Sequence, residues 1–233
     1  MKLSHTSALK GEFEAEGLSR DAVASEAAFA ARHGVPYLVK IGGCEAKSDM
    51  RFLIKQGIRS VVAPMIESPF AMRKYQEMLP PGAFDHVGVT IETADAVARI
   101  EPILDAGLKL TEVTVGRSDL TASYGGQSVD CAETVAMVKT VARAARQRGL
   151  PTTIGGSVNA RTVQLLREDD ELRDLVGSVE TRKCVMKIDR FLEPGALEEA
   201  LAVEALLLDC QIAEHDTLLK AARDRVKMIR ARL

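Results

Sequence analysis

Two carboxylates in this chain of 233 residues, Glu92 and Asp119, each stand at the end of a short apolar run, Val87–Ile91 and Leu110–Gly116. Such a pair suits a hard divalent cation, Mg²⁺ or Mn²⁺, which takes one or two carboxylates, several waters and an anionic substrate. Lys40 lies in the run Tyr37–Ile41, and Arg182 and Lys183 in the stretch Ser178–Met186. Lys40 and Arg182 are suited to holding a substrate carboxylate. Lys10, Glu12 and Glu14 are spaced by two, so on a strand all three project to one side. Proton transfer would fall to Glu12, Glu14 or Lys183, or to a metal-bound water. The histidines are poorly placed for it: His5 precedes the first run, His33 ends a helical stretch, His86 opens a run and His215 lies near the C-terminus. Gly42-Gly43 and Gly155-Gly156-Ser157 follow two other runs. They either make tight turns or bring backbone N–H groups to an anion, and neither is a Walker or dinucleotide motif.

These residues are positioned by an alternating pattern. Ser7–Phe13, Tyr37–Ile41, Ser60–Met65, Val87–Ile91, Leu110–Gly116, Thr152–Gly155 and Ser178–Met186 read as strands. Helices are predicted between them over Ser19–His33, Glu45–Gln56, Pro69–Met78, Ala94–Leu104, Cys131–Arg148 and Ala160–Arg167, most of them stopped by a glycine. The strands read as continuous apolar runs, as in a sheet buried on both faces. Repeated strand–helix units imply parallel strands with right-handed crossovers. The expectation is a (β/α)8 TIM-type barrel over about 7–186, followed by a helical segment over about 195–233, the whole forming one domain. The strand count falls one short, so either a stub before Ser7 serves or the barrel is incomplete. A doubly wound sheet is the alternative, but Lys10-Gly11-Glu12-Phe13-Glu14 is not a phosphate fingerprint. The C-terminal stretch reads as helical from Leu197 to Arg232 with a break near His215.

Composition narrows the function classes. Lys+Arg 31 against Asp+Glu 33 leaves a net charge of −2, without the basic surplus that nucleic-acid binding requires. With no Trp and 4% aromatics, the core must be built from aliphatic residues. No apolar stretch is long enough for a bilayer span, and the N-terminus lacks the apolar region of a signal peptide. Cys44, Cys131, Cys184 and Cys210 show no CxxC spacing, which argues against structural zinc and for reduced thiols in a cytoplasmic protein.

Val89-Thr90-Ile91-Glu92-Thr93, then Val115-Gly116-Arg117-Ser118-Asp119-Leu120-Thr121, resemble the (I/V)-E-T and G-P-x-D-L-S motifs of the HpcH/HpaI aldolase/citrate lyase family. Ala63-Pro64-Met65 and Gly11-Glu12 resemble its V-P-M and G-E-H segments. The resemblance implies a metal-dependent carbon–carbon lyase or aldolase acting on a 2-oxo acid through a pyruvate- or oxaloacetate-type enolate. Glu92 and Asp119 would be its metal ligands, Lys40 would stand in the family's arginine position, and Gly116, Arg117 and Ser118 would lie beside the substrate. Phe13 replaces the family's acid/base histidine, and Arg117 replaces its proline. Loss of the histidine leaves two alternatives, a barrel that binds a small acid without turnover and a citrate-lyase-like acyl lyase. The resemblance also implies exchange of the last helix between subunits of a homo-oligomer. Nine of the twelve residues from Leu197 to Leu208 are Ala, Val or Leu, more than one helix face needs to cover a barrel.

Overall fold

The computed structural model describes residues 2–232. Eight strands close into a barrel in sequence order: β1 (Ala8–Glu12), β2 (Tyr37–Lys40), β3 (Ser60–Ala63), β4 (His86–Ile91), β5 (Glu112–Gly116), β6 (Thr152–Gly155), β7 (Ser178–Glu180) and β8 (Cys184–Lys187). β1 through β7 pair in parallel, with Glu12 opposite Lys40, Thr90 opposite Thr114 and Gly116 opposite Gly155. β8 runs antiparallel to both β7 and β1, with Val179 opposite Met186 and Leu9 opposite Cys184. The missing eighth strand is therefore neither a stub before Ser7 nor absent. The expected single strand Ser178–Met186 folds back on itself at Thr181-Arg182-Lys183, where Thr181 N–H donates to the Cys184 carbonyl at 2.8 Å.

Helices surround the barrel: α1 (Arg20–Arg32), α2 (Lys47–Lys55), α3 (Pro69–Glu77), α4 (Ala94–Ala98), α5 (Ile100–Asp105), α6 (Arg117–Ser123), α7 (Ala132–Gln147), α8 (Ala160–Glu168), α9 (Asp170–Leu175), α10 (Ile188–Phe191) and α11 (Ala196–Arg230). Five of them start at a side chain that caps an otherwise orphaned N–H group. Ser19 caps α1, Ser68 caps α3 ahead of Pro69, and Asn159 with Thr162 forms a capping box on α8. The expected helix Ala94–Leu104 is two helices meeting at Arg99. The expected break near His215 is absent, and α11 runs unbroken for 35 residues.

The strands are not uniformly apolar, as their runs suggested. Leu9, Val39, Val61, Val89, Val113, Val115, Ile154 and Val179 point outward and join the helices in one core. The alternate residues Lys10, Thr90, Thr114, Thr153 and Ser178 are buried inside the barrel. A narrow barrel has room for small β-branched hydroxyl residues there, and the period of two then assigns outward positions to Val and Ile. No helix among the described residues is long and apolar enough to cross a membrane.

Candidate active site

At the carboxyl ends of the parallel strands the barrel opens into a cavity of about 310 Å³. Lys40, Glu92, Gly116, Ser118 and Asp119 line it together with Lys10, Glu12 and Glu180. Strand register brings these residues together, because each sits on the inward period of its strand or just beyond its end.

Lys10 lies between two carboxylates, with Nζ 2.8 Å from Glu12 Oε1 and 2.7 Å from Glu180 Oε1. All three side chains are buried. Burial opposes the Lys10 charge, but Glu180 and Glu12 outweigh it and hold its pKa above the ordinary lysine value. Burial likewise opposes ionisation of Glu12, and Lys10 and Lys40 outweigh it, so Glu12 is held below the usual carboxylate range. Lys40 Nζ stands 3.3 Å from Glu92 Oε2 and 4.0 Å from Glu12 Oε2, bridging the two carboxylates across the barrel mouth.

Glu92 is 2% exposed. Its Oε1 accepts the Met65 N–H at 2.9 Å. Met65 reaches it from a left-handed conformation, φ 50°, which costs a residue with a side chain about 1 kcal/mol or more. Burial raises the Glu92 pKa against the pull of Lys40 and the Met65 N–H, and the Asp119 charge raises it further. Two carboxylates that repel one another at a cavity wall, with no thiol or imidazole between them, form a donor set that fits a hard divalent cation. Among the described residues no three His, Cys, Asp or Glu side chains form a ready-made metal cage. The remaining coordination positions would be left to water and an anionic substrate, the mode usual for Mg²⁺.

Gly116 is required by proximity. A Cβ there would stand 2.6 Å from Glu92 Oε2. Gly156, at φ 87°, would place a Cβ 2.5 Å from the Ser118 nitrogen. It therefore serves both its conformation and the close approach of the β6–α8 loop to the start of α6. Ser118 Oγ and Ser157 Oγ meet across that approach at 2.9 Å.

Three sequence expectations change. Arg117 does not line the cavity. It is 1% exposed, and its guanidinium donates to Asp130 at 2.7 Å, the carbonyls of Gly155 and Gly156, and Thr162 Oγ1. It pins the β6–α8 loop to the end of β5 and is occupied in doing so. Glu14 is exposed and off the cavity wall. It lies beyond the end of β1, where the period of two no longer holds, and its carboxylate lies over Gly42. Lys183 points out of the barrel mouth into a buried cluster with Glu16 and Glu26. The β7–β8 turn reverses the chain there and sends its side chain toward α1. Of the three side chains expected to move protons, Glu12 alone lines the cavity.

Three contributors, two from α11 and one backbone N–H, carry no signal in the sequence. Leu201 and Glu204 of α11 line the cavity, and Arg182 Nε stands 3.9 Å from Glu204 Oε1. Nothing local in the sequence signals that a helix so far along the chain returns to the mouth. The Met65 N–H is the third, since a backbone donor carries no side-chain signature.

The family model for HpcH/HpaI aldolase/citrate lyase matches residues 20–156. No curated relative matches this chain in sequence. Among solved structures, the chain is similar to an HpcH/HpaI aldolase from Desulfitobacterium hafniense DCB-2, with 16% identity, a TM-score of 0.63, and 87% of this chain and 83% of that one covered. It is also similar to an HpcH/HpaI aldolase/citrate lyase family protein from Burkholderia cenocepacia J2315, at 18% identity and TM-score 0.59, over 70% of this chain and 75% of that one. RipC from Yersinia pestis matches at 16% identity and TM-score 0.58, over 86% and 88%. At these identities the structural likeness speaks for the fold alone.

Proposed function

This chain belongs to the HpcH/HpaI aldolase/citrate lyase family, and we propose that it is a divalent-metal-dependent lyase or aldolase that breaks or makes a carbon–carbon bond in a 2-oxo acid. The observation that carries this reading is the convergence of Glu92, Asp119, Lys40 and Glu12 on one cavity wall. Mg²⁺ or Mn²⁺ held by Glu92 and Asp119 would supply Lewis-acid stabilisation of the oxyanion that develops on the 2-oxo oxygen.

The chain's own residues account for the rest. The Lys40 ammonium lies beside Glu92 and offers a point charge for the substrate carboxylate. A lysine does this with less geometric selectivity than the arginine fork it replaces. Glu12 is held ionised by Lys10 and Lys40. It accepts the proton of the 4-hydroxyl as the C3–C4 bond breaks, and the electron pair of that bond passes to the 2-oxo oxygen as the aldehyde departs. Returned to C3, the same proton gives pyruvate. Lys10 and Glu180 do not take part in bond breaking; they set the charge and orientation of Glu12. Arg182 and Glu204 stand at the mouth, where the variable end of the substrate would lie.

The test is pyruvate release from a panel of 4-hydroxy-2-oxo acids with added Mg²⁺ or Mn²⁺. Turnover of at least one member should be lost in Glu92→Gln and Asp119→Asn, together with divalent-ion binding measured by calorimetry. Unchanged metal affinity in both variants would remove these residues from the metal site. Oxalate or pyruvate binding without turnover across the panel would favour the acid-binding reading, for which the absence of a family histidine at Phe13 is the motive.

A further inference from the structure

Helix α11 carries two apolar faces. Ala196, Ala200, Val203 and Leu207 are buried against the barrel, and one turn further on Gln211 donates to Glu26 of α1 at 3.0 Å. A second set, Leu208, Ile212, His215, Leu219, Ala222, Val226 and Ile229, recurs with strict spacings of four and three. All seven are exposed, with Ile212 58% and Leu219 52% accessible. That alternation is the heptad seam of a coiled coil. Ile212, Leu219 and Val226 occupy its a positions, and Leu208, His215, Ala222 and Ile229 its d positions. The residues buried on the barrel fall at c and f, so the seam faces away from it. From Leu208 to Arg230 the seam is about 34 Å long. An exposed apolar stripe of this length marks an interface.

We propose that residues 208–230 pair with the same segment of a second copy of this chain as an antiparallel two-helix coiled coil. Charge decides the occupant and its direction. The e positions flanking the seam are Asp209 and Asp216 in the first half and Arg223 and Arg230 in the second. In an antiparallel pair, e faces e. With Ile212 opposite Ile229 of the second copy, Leu219 opposite Ala222 and Val226 opposite His215, Asp209 meets Arg230 and Asp216 meets Arg223. Two-fold symmetry makes four opposite-charge contacts. Sliding one helix by a heptad in either direction sets Asp216 against itself or Arg223 against itself. A parallel pair brings e to g instead: Arg225 meets Arg230, no opposite charges meet, and His215 stacks on His215. The leucine-over-alanine layers at 219 and 222 also let antiparallel helices approach closely. The coil begins four residues beyond Glu204, so assembly would hold the upper half of α11 at the cavity mouth.

The test uses the full chain with Cys210→Ser. Asp216→Cys and Arg223→Cys are introduced separately, the two variants are co-expressed and mildly oxidised, and linked peptides are identified by mass spectrometry. The expected result is a dominant 216–223 link between copies. Dominant 216–216 or 223–223 links, or no links through these positions in folded protein, would overturn the proposal. In parallel, Arg223→Glu/Arg230→Glu and Asp209→Arg/Asp216→Arg are compared by sedimentation. Each alone should weaken helix pairing by about tenfold or more, and mixing the two should restore it. Tighter association of the acidic variant alone is the signature of parallel pairing and would also overturn it.

Discussion

Replacing Lys10 with Met, which keeps the length of the side chain but removes its charge, tests how the candidate site is held in its ionised state. The ammonium lies 2.8 Å from Glu12 and 2.7 Å from Glu180, with all three residues at most 9% exposed. Deleting one member of a buried ion cluster leaves the others uncompensated, which typically costs about 3–5 kcal/mol. Glu180 loses its ammonium partner, whereas Glu12 keeps Lys40 at 4.0 Å, so the lower half of that range is expected near pH 7.5. The pH dependence then separates this cause from lost packing. In the wild type the Glu12 pKa is depressed, so its contribution is fully present above the unfolded carboxylate value and is lost as pH falls through the lower folded one. Without Lys10, burial is opposed only by Lys40 and Arg182, so the folded pKa rises from its depressed wild-type value. The variant therefore loses less stability than the wild type as pH falls toward 5, and its deficit narrows. Urea unfolding followed by circular dichroism at pH 7.5 and pH 5 measures both quantities. A deficit below about 1 kcal/mol, or one of equal size at both pH values, would refute the argument that the triad is an electrostatic unit.

Two further outcomes are expected. Lys40→Ala should weaken oxalate or pyruvate binding by about 1.5–3 kcal/mol, the scale of a charge-assisted hydrogen bond; calorimetry giving equal affinity for variant and wild type removes Lys40 from the site. At the opposite end of the barrel, burial pushes the Glu112 carboxyl from 4.5 up to about 7, with the Glu180 charge adding to it and the Lys187 charge opposing it. The folded state then binds more protons than the unfolded one between these values, so wild-type stability falls as pH rises through that window. Glu112→Gln should flatten that slope and gain up to about 2 kcal/mol at pH 8, discounting for partial exposure; an unchanged pH profile of the unfolding midpoint contradicts the assignment.

Much of this molecule is legible in its sequence because the controlling interactions are local. Ser19, Ser68 and Asn159 announce helix starts through hydrogen bonds two or three residues away, and the alternation of runs and helices implies parallel strands. Once the strands are placed, the positions of Glu92 and Asp119 at the cavity follow, since Glu92 directly succeeds β4 and Asp119 lies in the first turn of α6 just beyond β5. The unread features depend on contacts between distant parts of the chain. The turn at Thr181-Arg182-Lys183 divides one apparent strand into two because β8 closes the barrel against β1, a partner more than 170 residues earlier. Lys10 and Glu180 neutralise one another across the same closure, so neither charge could be assigned a role from its neighbours. Arg117 carries the charge and position of a substrate ligand, yet Asp130, the β6–α8 loop and Thr162 engage all three of its nitrogens. Residue types and periodicity determined which groups could do chemistry and on which strands they stand. The direction each side chain takes, and the partner that sets its charge, were decided by tertiary structure, because burial makes an ion's state depend on what lies within a few ångströms of it.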